Sequence, residues 1–214
     1  MPLLDLTPDE LLSTTRAVRT RLDLDRHVPD ELVRECVAMA LQAPSGSNVV
    51  TMQFVVVRNA EKKRAIGEVY GQVYAAYTAS PGYPGRPTGD PERDAIQARV
   101  ARSADYLAEH FGEMPVLVLG CSTISSREGA SAAKGNILPG MWSFMLAARA
   151  RGLGTAWTSM HLARERDVAD ILGIPYDTVA QAVLTPLAFT KGTDFKPAKR
   201  PEPESVIHWD GWAQ

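Results

Sequence analysis

Three arginines near the beginning of the chain form the first group of side chains that could do chemistry. Arg16, Arg19 and Arg21 lie within the segment TTRAVRTR. A guanidinium group is always charged and offers forked donors, which suit a phosphate better than the single ammonium of lysine. The cluster therefore predicts a phosphate-binding segment, with an ordinary solvated basic face as the alternative.

A short polar turn is the second such group. The segment APSGSN, residues 43–48, follows a helix-like stretch and precedes a β-branched run. At such a junction, backbone amides and short polar side chains can face a ligand. Pro44, Gly46 and Asn48 are also common turn formers, so an ordinary helix-to-strand turn is the alternative.

The sequence lacks the motifs of several other enzyme classes. It contains no GxSxG, HExxH or GxxxxGK[ST], which argues against serine hydrolases, zinc proteases and P-loop proteins. GxGxxG is also missing, so a separate Rossmann site for a nicotinamide is not expected. Cys36 and Cys121 lie in apolar stretches without metal-ligand spacing and are predicted to be buried thiols. His27, His110 and His208 show no ligand spacing either.

Helix and strand patterns are interleaved along the chain, which predicts an α+β or α/β fold. Helical spacing and capping residues indicate five helices, over residues 29–43, 60–79, 91–111, 139–151 and 167–172. β-branched or apolar runs indicate four strands, over residues 53–58, 116–121, 155–160 and 180–189. Trp142, Phe144 and Met145 on the fourth helix are expected to pack in the core or in an interface, with the lining of a ligand site as the alternative.

Length and charge favour an ordinary globular protein. The 214 residues are predicted to form one domain over 1–214. Lys and Arg number 23 and Asp and Glu 25, a balance that favours neither nucleic acid nor an anionic membrane surface as partner. No apolar run reaches the roughly 18 residues of a spanning helix. Asp5, Asp9 and Glu10 argue against a secretory signal, so a cytoplasmic protein is expected.

Two irregular segments stand out within this domain. The run ASPGYPGRPTGDP joins two predicted helices and is dense in turn formers, so it is expected to be exposed and mobile. It is the centre of a lid-like excursion around residues 68–112. The tail, around residues 191–214, is rich in proline but ends in the apolar pattern VIHWDGW, so it is expected to be extended and docked.

Taken in order, these motifs resemble the nitroreductase family of FMN-dependent oxidoreductases. The carriers of the resemblance are the arginine segment, APSGSN, the β-branched strand after it and an apolar helix that ends in RGLGT. The family usually reads approximately RRSVRxF, APSxxNxQPWxF, a helix ending in GLGT and a late basic patch. The resemblance runs from about Thr14 to Trp212. It departs at Thr15, which replaces the first family arginine, and at residues 50–52, where Val, Thr and Met replace Gln, Pro and Trp.

The resemblance implies that basic groups from both ends of the chain hold the FMN phosphate. Arg16, Ala17 and Arg19 fall on the first FMN-contacting segment, with the arginines toward the phosphate end of the cofactor. Lys199 and Arg200 fall on the late basic pair that helps to hold the phosphate. Because position 15 is not an arginine here, phosphate binding is expected to depend on these remaining bases.

Two further segments are implied to approach the flavin. The first is the polar turn, which in the family reaches the flavin from the partner subunit. The second follows RGLGTAWTS, and its backbone approaches the isoalloxazine edge near N5. The implied contacts are Pro44, Ser45 and Asn48 in the first segment and Met160, His161 and Leu162 in the second.

The resemblance leaves two kinds of side-chain role open. His161 is expected to have a structural or backbone-contact role, with proton donation as the alternative. Tyr70 and Tyr74 lie on the excursion that covers the cofactor in the family, so they are candidate substrate contacts, with core packing as the alternative. A catalytic side chain is not required, because the flavin carries the chemistry.

The resemblance also implies an architecture and an activity. The expected fold is nitroreductase-like, with a central mixed sheet flanked by helices, in an intertwined homodimer. The expected activity is reduction of nitroaromatics, quinones or similar electron-poor small molecules, with FMN as cofactor, NAD(P)H as reductant and no metal. The alternatives are a non-catalytic flavin-binding or flavin-sequestering protein and, on the same fold, a reductive dehalogenase or an enoyl-type reductase.

Overall fold

The computed structural model describes residues 3–212 and folds them into an α+β arrangement, which confirms the predicted class. The helices are α1 (Pro8–Thr14), α2 (Asp30–Ala40), α3 (Ala60–Ala79), α4 (Pro91–Glu109), α5 (Ala130–Ala150) and α6 (Glu165–Leu172). The strands are β1 (Met52–Val57), β2 (Val116–Thr123), β3 (Leu153–Thr155) and β4 (Val179–Phe189). Short 3₁₀ turns include Gly46–Asn48, Phe111–Glu113 and Met160–Arg164.

The four strands form one sheet in the order β1-β2-β4-β3, and each pairing of neighbours is antiparallel. The sheet within this chain is thus antiparallel rather than mixed. Between β1 and β2 the chain passes through two helices, so it returns in the opposite direction. Among the described residues, parallel pairing is limited to a bridge between Ala17 and Thr155. The inner strands β2 and β4 are almost wholly buried, as their continuous apolar runs predict.

Helices cover both faces of the sheet. α2 and α5 pack on one face, in a cluster that includes Cys36, Val118 and Phe144. α3 and α6 pack on the other face, in a cluster that includes Leu119 and Cys121. Both cysteines are fully buried, as predicted, and burial raises the pKa of each thiol to about 12. Both are therefore protonated thiols at neutral pH.

The helix predicted from residue 139 begins nine residues earlier, at Ala130, and Pro139 lies inside it. A proline is common in the first turn of a helix, where its N–H has no partner to lose, but Pro139 lies in the middle of α5. The end of α5 is as expected, because Gly152 adopts φ 72° and closes the helix. Phe144 and Met145 lie in the core, whereas Trp142 keeps 38% of its surface exposed.

The segment predicted as a strand over 155–160 is mostly irregular. β3 ends at Thr155, and beyond it Thr158 makes an isolated bridge with Leu184 of β4. The chain then enters the Met160–Arg164 turn, and α6 follows directly from Glu165, two residues before its predicted start. This change of direction, which the alternating apolar pattern did not indicate, presents residues 157–162 at one end of the sheet.

α3 and α4 supply most of residues 68–112, where the lid-like excursion is predicted. α3 packs against the Phe111–Glu113 turn through a close approach of two glycines. A Cβ on Gly67 would lie 2.7 Å from the backbone nitrogen of Gly112, so no larger residue fits without moving one of the two segments. α4 is mostly exposed, with Leu107 its one buried residue. The excursion is therefore anchored at its base and weakly packed along α4.

The tail, which is predicted to be extended and docked, is largely irregular, with one 3₁₀ turn at Pro203–Ser205 within residues 201–212. Every residue in that stretch is exposed, and Trp209 and Trp212 each keep 84% of their surface exposed. The predicted domain and tail also include residues 1–2 and 213–214, which lie outside the described residues. Within residues 3–212, no helix combines the length and apolar character that crossing a membrane requires.

Candidate functional site

A cleft of about 350 Å³ lies between the segment that follows α1 and the segment that follows β4. Four of its lining side chains are cations, and its one carboxylate, Asp194, is paired with Arg21. The structure thus brings four residues singled out from the sequence, Arg16, Ala17, Arg19 and Arg21, together at a positively charged site. We refer to it as the basic cleft, and its lining includes Arg16, Ala17, Arg19, Arg21, Phe195 and Lys196.

The segment between α1 and α2 is held against β3, and this places its arginines at the cleft. Val18 donates its backbone N–H to the carbonyl oxygen of Thr155 at 2.8 Å. Val18 and Leu22 are both buried over Gly154. A Cβ on Gly154 would lie 2.8 Å from Leu22 and 3.1 Å from Val18, so the close approach depends on the absence of a side chain there.

The opposite end of the chain forms the other wall of the basic cleft. Arg16 donates to the carbonyl oxygen of Lys196 at 3.0 Å. Arg19 approaches α4, with 3.4 Å between its Nη1 and the Oγ of Ser103. Segments from both ends of the chain and from the α3–α4 excursion therefore meet at this cleft.

The predicted late basic pair is divided between two environments. Arg200 lines a smaller cavity of about 290 Å³ together with Thr15 and Arg16, which also lines the basic cleft. Lys199 is exposed, and its Nζ lies 3.9 Å from Glu92. Arg200 is thus close to the arginine segment, whereas Lys199 points toward α4.

A second cavity, of about 270 Å³, adjoins the basic cleft, and Arg19 lines both. Its aromatic side chains come from α3, from the connection to α4 and from the chain after β3. Flat aromatic rings favour stacking with a planar ligand. We refer to it as the aromatic cavity, and its lining includes Tyr70, Tyr74, Tyr77, Tyr83, Trp157 and Met160.

The two candidate tyrosines combine packing with exposure to this cavity. Tyr70 is buried, and its ring stacks on Phe111 with 4.0 Å between centroids. Its hydroxyl accepts a hydrogen bond from Thr158 at 3.4 Å. Tyr74 donates to Asp105 of α4 at 2.7 Å, and partial burial and this hydrogen bond raise the pKa of its phenol. Tyr70 is therefore part of the core, and Tyr74 ties α3 to α4.

A buried polar network fixes the Met160–Arg164 turn. Glu165, at the end of the turn, accepts two hydrogen bonds from Gln181. Its carboxylate accepts from the backbone N–H at 2.9 Å, and its backbone carbonyl oxygen accepts from the side-chain Nε2 at 2.7 Å. The Glu165 carboxylate also pairs with Arg127 at 2.9 Å and with Lys134 at 3.3 Å. The turn is thus locked both to β4 and to the beginning of α5.

His161 lies fully buried in this turn, and within residues 3–212 neither of its ring nitrogens has a hydrogen-bond partner. Burial lowers the pKa of the imidazole from 6.5 to about 4; Glu165 opposes this shift and Lys134 adds to it. The ring is therefore neutral at neutral pH. An enclosed neutral imidazole is a poor proton donor, so this geometry favours a structural role. Met160 lines the aromatic cavity, and Leu162 is half-buried.

The polar turn lies apart from both cavities. Pro44 and Asn48 are exposed, Ser45 is half-buried, and none of them lines the basic cleft or the aromatic cavity of its own chain. Ser47 and Asn48 adopt φ of 54° and 57°, a left-handed turn that presents the segment outward. The turn is thus accessible to a second chain.

Several residues at the two cavities were missed by the sequence interpretation. Lys196 and Phe195 belong to an irregular tail, where no periodic pattern shows which side chain faces a cleft. Trp157 was assigned to a strand. Arg149, which lines neither cavity, was not singled out either, although an arginine among apolar residues is the kind of signal that could have drawn attention to it.

A larger cavity, of about 480 Å³, lies beside β1 and includes Val55, Arg58 and Lys62. It is open and brings together none of the predicted site residues. Arg58 is already engaged, because it donates to the carbonyl oxygen of Val28 and pairs with Asp30, both at 2.7 Å. The basic cleft and the aromatic cavity are therefore the better candidate for a functional site.

Comparison with known proteins defines the class of this fold and site. The model of the nitroreductase family matches residues 12–185, and the chain belongs to that family. A relative from Archaeoglobus fulgidus is 28% identical over 206 residues, covering 95% of this chain and 97% of its own. A relative from Methanothermobacter thermautotrophicus is 24% identical over 219 residues, covering 95% of this chain and 86% of its own. Their names assign both to the NADH dehydrogenase/NAD(P)H nitroreductases.

Solved structures support the same fold. An iodotyrosine deiodinase bound to FMN and 3-iodo-L-tyrosine has a TM-score of 0.72 at 20% identity and covers 95% of this chain and 99% of its own. An FMN- and NADPH-dependent nitroreductase from Sphigopyxis sp. strain HMH has a TM-score of 0.69 at 21% identity and covers 97% of this chain and 100% of its own. The predicted family and nitroreductase-like fold are therefore confirmed.

Proposed function

We propose that this chain is an FMN-dependent oxidoreductase that uses NAD(P)H to reduce small electron-poor acceptors such as nitroaromatics and quinones. The observation that carries the proposal is the continuity of the basic cleft with the aromatic cavity through Arg19. FMN has a dianionic phosphate at one end and a planar ring system at the other. The cations of the cleft suit the phosphate, and the flat side chains of the cavity suit a planar ring.

The residues of the chain would bind, orient and shield the cofactor and the acceptor. Arg16, Arg19 and Lys196 hold the anionic end, and Ala17 keeps the floor of the cleft free of a bulky side chain. The turn at 160–162, which the Glu165 network makes rigid, positions backbone groups at the flavin edge. When bound, FMN supplies the transfer of hydride and electrons between nicotinamide and acceptor.

The aromatic cavity would receive the acceptor. The tyrosines of α3 and Trp157 exclude water from it and stack on a planar substrate. The hydroxyl of Tyr74 already donates a hydrogen bond to Asp105. Its role is therefore to position α4 over the cavity rather than to protonate the electron acceptor. The excursion at 68–112 then acts as a lid over the bound molecules.

An absorbance spectrum of the purified protein tests the proposal. We expect the bands of oxidised flavin, either as isolated or after addition of FMN and gel filtration. Anaerobic NADH or NADPH should bleach these bands, and a quinone or nitroaromatic should restore them. A colourless protein that neither binds added FMN nor oxidises either nicotinamide rejects the proposal.

The same spectrum separates the alternatives. Bound FMN that stays oxidised under excess NADH and NADPH identifies a flavin-sequestering protein. Bleached flavin that is reoxidised by a halogenated aromatic or an enone, but not by a quinone or nitroaromatic, identifies the dehalogenase or enoyl-type reductase. The four tyrosines and Trp157 in the lining of the cavity favour a planar aromatic acceptor.

We also propose an intertwined homodimer, acting in the cytoplasm without a nucleic-acid or membrane partner. Large apolar side chains are exposed at the end of α2, beside the polar turn, on α5 and in the tail, and a second copy would cover them. In that assembly, Pro44, Ser45 and Asn48 reach the partner's flavin. The exposed side chains include Met39, Leu41, Val49, Val50, Leu138, Trp142, Trp209 and Trp212.

Sedimentation equilibrium tests the dimer, with an expected mass of twice the 23.3-kDa chain. Truncation of the chain after residue 204 should shift the equilibrium toward the monomer, because the two exposed tail tryptophans, Trp209 and Trp212, are lost. Replacing Ile96 on the exposed face of α4 with serine is the control, and it should leave the mass unchanged. A monomeric mass with full flavin occupancy contradicts the proposal.

A further inference from the structure

Arg149, in the last turn of α5, is a buried cation whose partners are all neutral. It keeps only 4% of its surface exposed. Its Nη2 donates to the Oγ1 of Thr14 at 3.2 Å and to the carbonyl oxygen of Thr193 at 3.0 Å. Within the described residues, 3–212, no carboxylate forms an ion pair with it.

Two of the three guanidinium nitrogens of Arg149 are also unsatisfied. Nε and Nη1 are buried and have no hydrogen-bond partner within residues 3–212. A buried charge destabilises the folded state unless a counter-charge or hydrogen bonds compensate it. Burial and the nearby Arg21 lower the pKa of Arg149, but a guanidinium keeps its proton in proteins. The positive charge is therefore present, and no carboxylate within residues 3–212 compensates it.

This charge lies directly behind the basic cleft. The ring of Phe195, which lines the cleft, has the guanidinium of Arg21 at 4.3 Å and that of Arg149 at 5.0 Å from its centroid. The charge of Arg21 is balanced by its pairing with Asp194. Arg149 has no paired carboxylate in the described part of the chain. The protein between Arg149 and the cleft also screens the field of its charge less than water does.

We propose that Arg149 is a positioning residue for phosphate: its buried charge sets the affinity of the basic cleft for a phosphate monoester without touching it. The inference depends on the proposed function, because the monoester it names is that of FMN. It also accounts for the departure at position 15, where Thr15 stands in place of the first family arginine. In this interpretation, the charge of Arg149, which lies beneath the cleft next to Thr14, takes the place of the charge that the family arginine at position 15 supplies at the surface of the cleft.

The test compares FMN with riboflavin, which has the same ring system and no phosphate. We expect Arg149→Met, which removes the charge and keeps an unbranched side chain, to raise the Kd for FMN about tenfold. The Kd for riboflavin should change by less than about twofold. Quenching of flavin fluorescence measures both at one fixed low ionic strength, since salt screens the effect.

Arg151→Met is the matched control. It removes one positive charge from the same end of α5, but Arg151 is paired with Glu35 and does not line the basic cleft. Both Kd values should stay at their wild-type levels. Arg149→Lys, which keeps the charge, should restore most of the preference for FMN.

Three outcomes overturn the inference. An equal loss of affinity for FMN and riboflavin makes Arg149 a general structural residue. An unchanged preference for FMN means that its charge does not reach the phosphate. Failure of both Arg149→Met and Arg149→Gln to fold, judged by thermal denaturation, also makes the residue structural.

Inorganic phosphate separates this inference from the proposed function. Added phosphate should raise the Tm of the wild type and of Arg151→Met, and raise that of Arg149→Met less. If the wild type binds neither flavin, the proposed function fails, while the phosphate comparison still decides the role of Arg149. If the wild type prefers FMN and Arg149→Met prefers it equally, only the inference about Arg149 fails.

Discussion

Replacing Glu165 with alanine is expected to lower the free energy of unfolding by about 3 kcal/mol. The carboxylate is 9% exposed and accepts from Arg127, Lys134 and the backbone of Gln181. Its removal leaves two cations and a buried N–H without their acceptor. The usual cost of breaking a buried ion pair is about 3–5 kcal/mol, and the cations are each about one-quarter exposed, so the lower end applies.

Urea denaturation, monitored by circular dichroism, measures this loss of free energy of unfolding. An unchanged m value indicates that the folded state is still compact. Glu128→Ala is the matched control, because Glu128 lies beside Arg127 in sequence and is exposed. Its free energy of unfolding should stay within about 0.5 kcal/mol of wild type. A loss below about 1 kcal/mol for Glu165→Ala means that the network does not hold the turn.

The helices and strands that the sequence predicted well are those whose local pattern agrees with their packing. α2, α3 and α4 are confirmed, with ends within three residues of those predicted, and β1, β2 and β4 follow their β-branched or apolar runs. α1 was missed although its signal was present. Thr7 and Glu10 form a reciprocal capping box, and Pro8 occupies the first turn.

The errors in α5 and β3 arise where tertiary contacts override local signals. Pro139 resembles a helix beginning, but residues 130–138 stay helical, and Lys134 within them is anchored to Glu165. Such a long-range ion pair leaves no periodic trace in sequence. The tail ends in an apolar pattern that predicted docking, but an apolar pattern does not tell whether the surface that covers it belongs to the same chain or to another.

The residues of the candidate site that could be predicted are those that lie within the ordered motifs of the sequence. Arg16 and Arg19 lie at the basic cleft, and Met160 lies at the adjoining aromatic cavity. Which late base enters the cleft was not predictable, because the segment KPAKR is irregular and any of its three cations could face inward. The structure places Lys196 there. The burial of Arg149 depends on the chain after β4 folding over it, which no local pattern indicates.

The stability of the protein is expected to fall as the pH falls from 7 to 5, and most of this loss is expected to come from His161. Burial lowers the pKa of the folded imidazole from 6.5 to about 4. A depressed pKa means that the unfolded chain binds a proton more readily, so acid favours unfolding. The stabilisation is complete above the unfolded pKa of about 6.5 and is lost as pH falls toward the folded value.

With these two pKa values, the contribution of His161 to the free energy of unfolding falls by about 2 kcal/mol between pH 7 and pH 5. The pH dependence of the free energy of unfolding, from urea denaturation in each buffer, should be flatter by this amount in His161→Leu than in wild type. His27→Leu, at an exposed position, should keep the wild-type profile. An unchanged slope in His161→Leu means that solvent reaches the ring and that it can exchange a proton in the folded state.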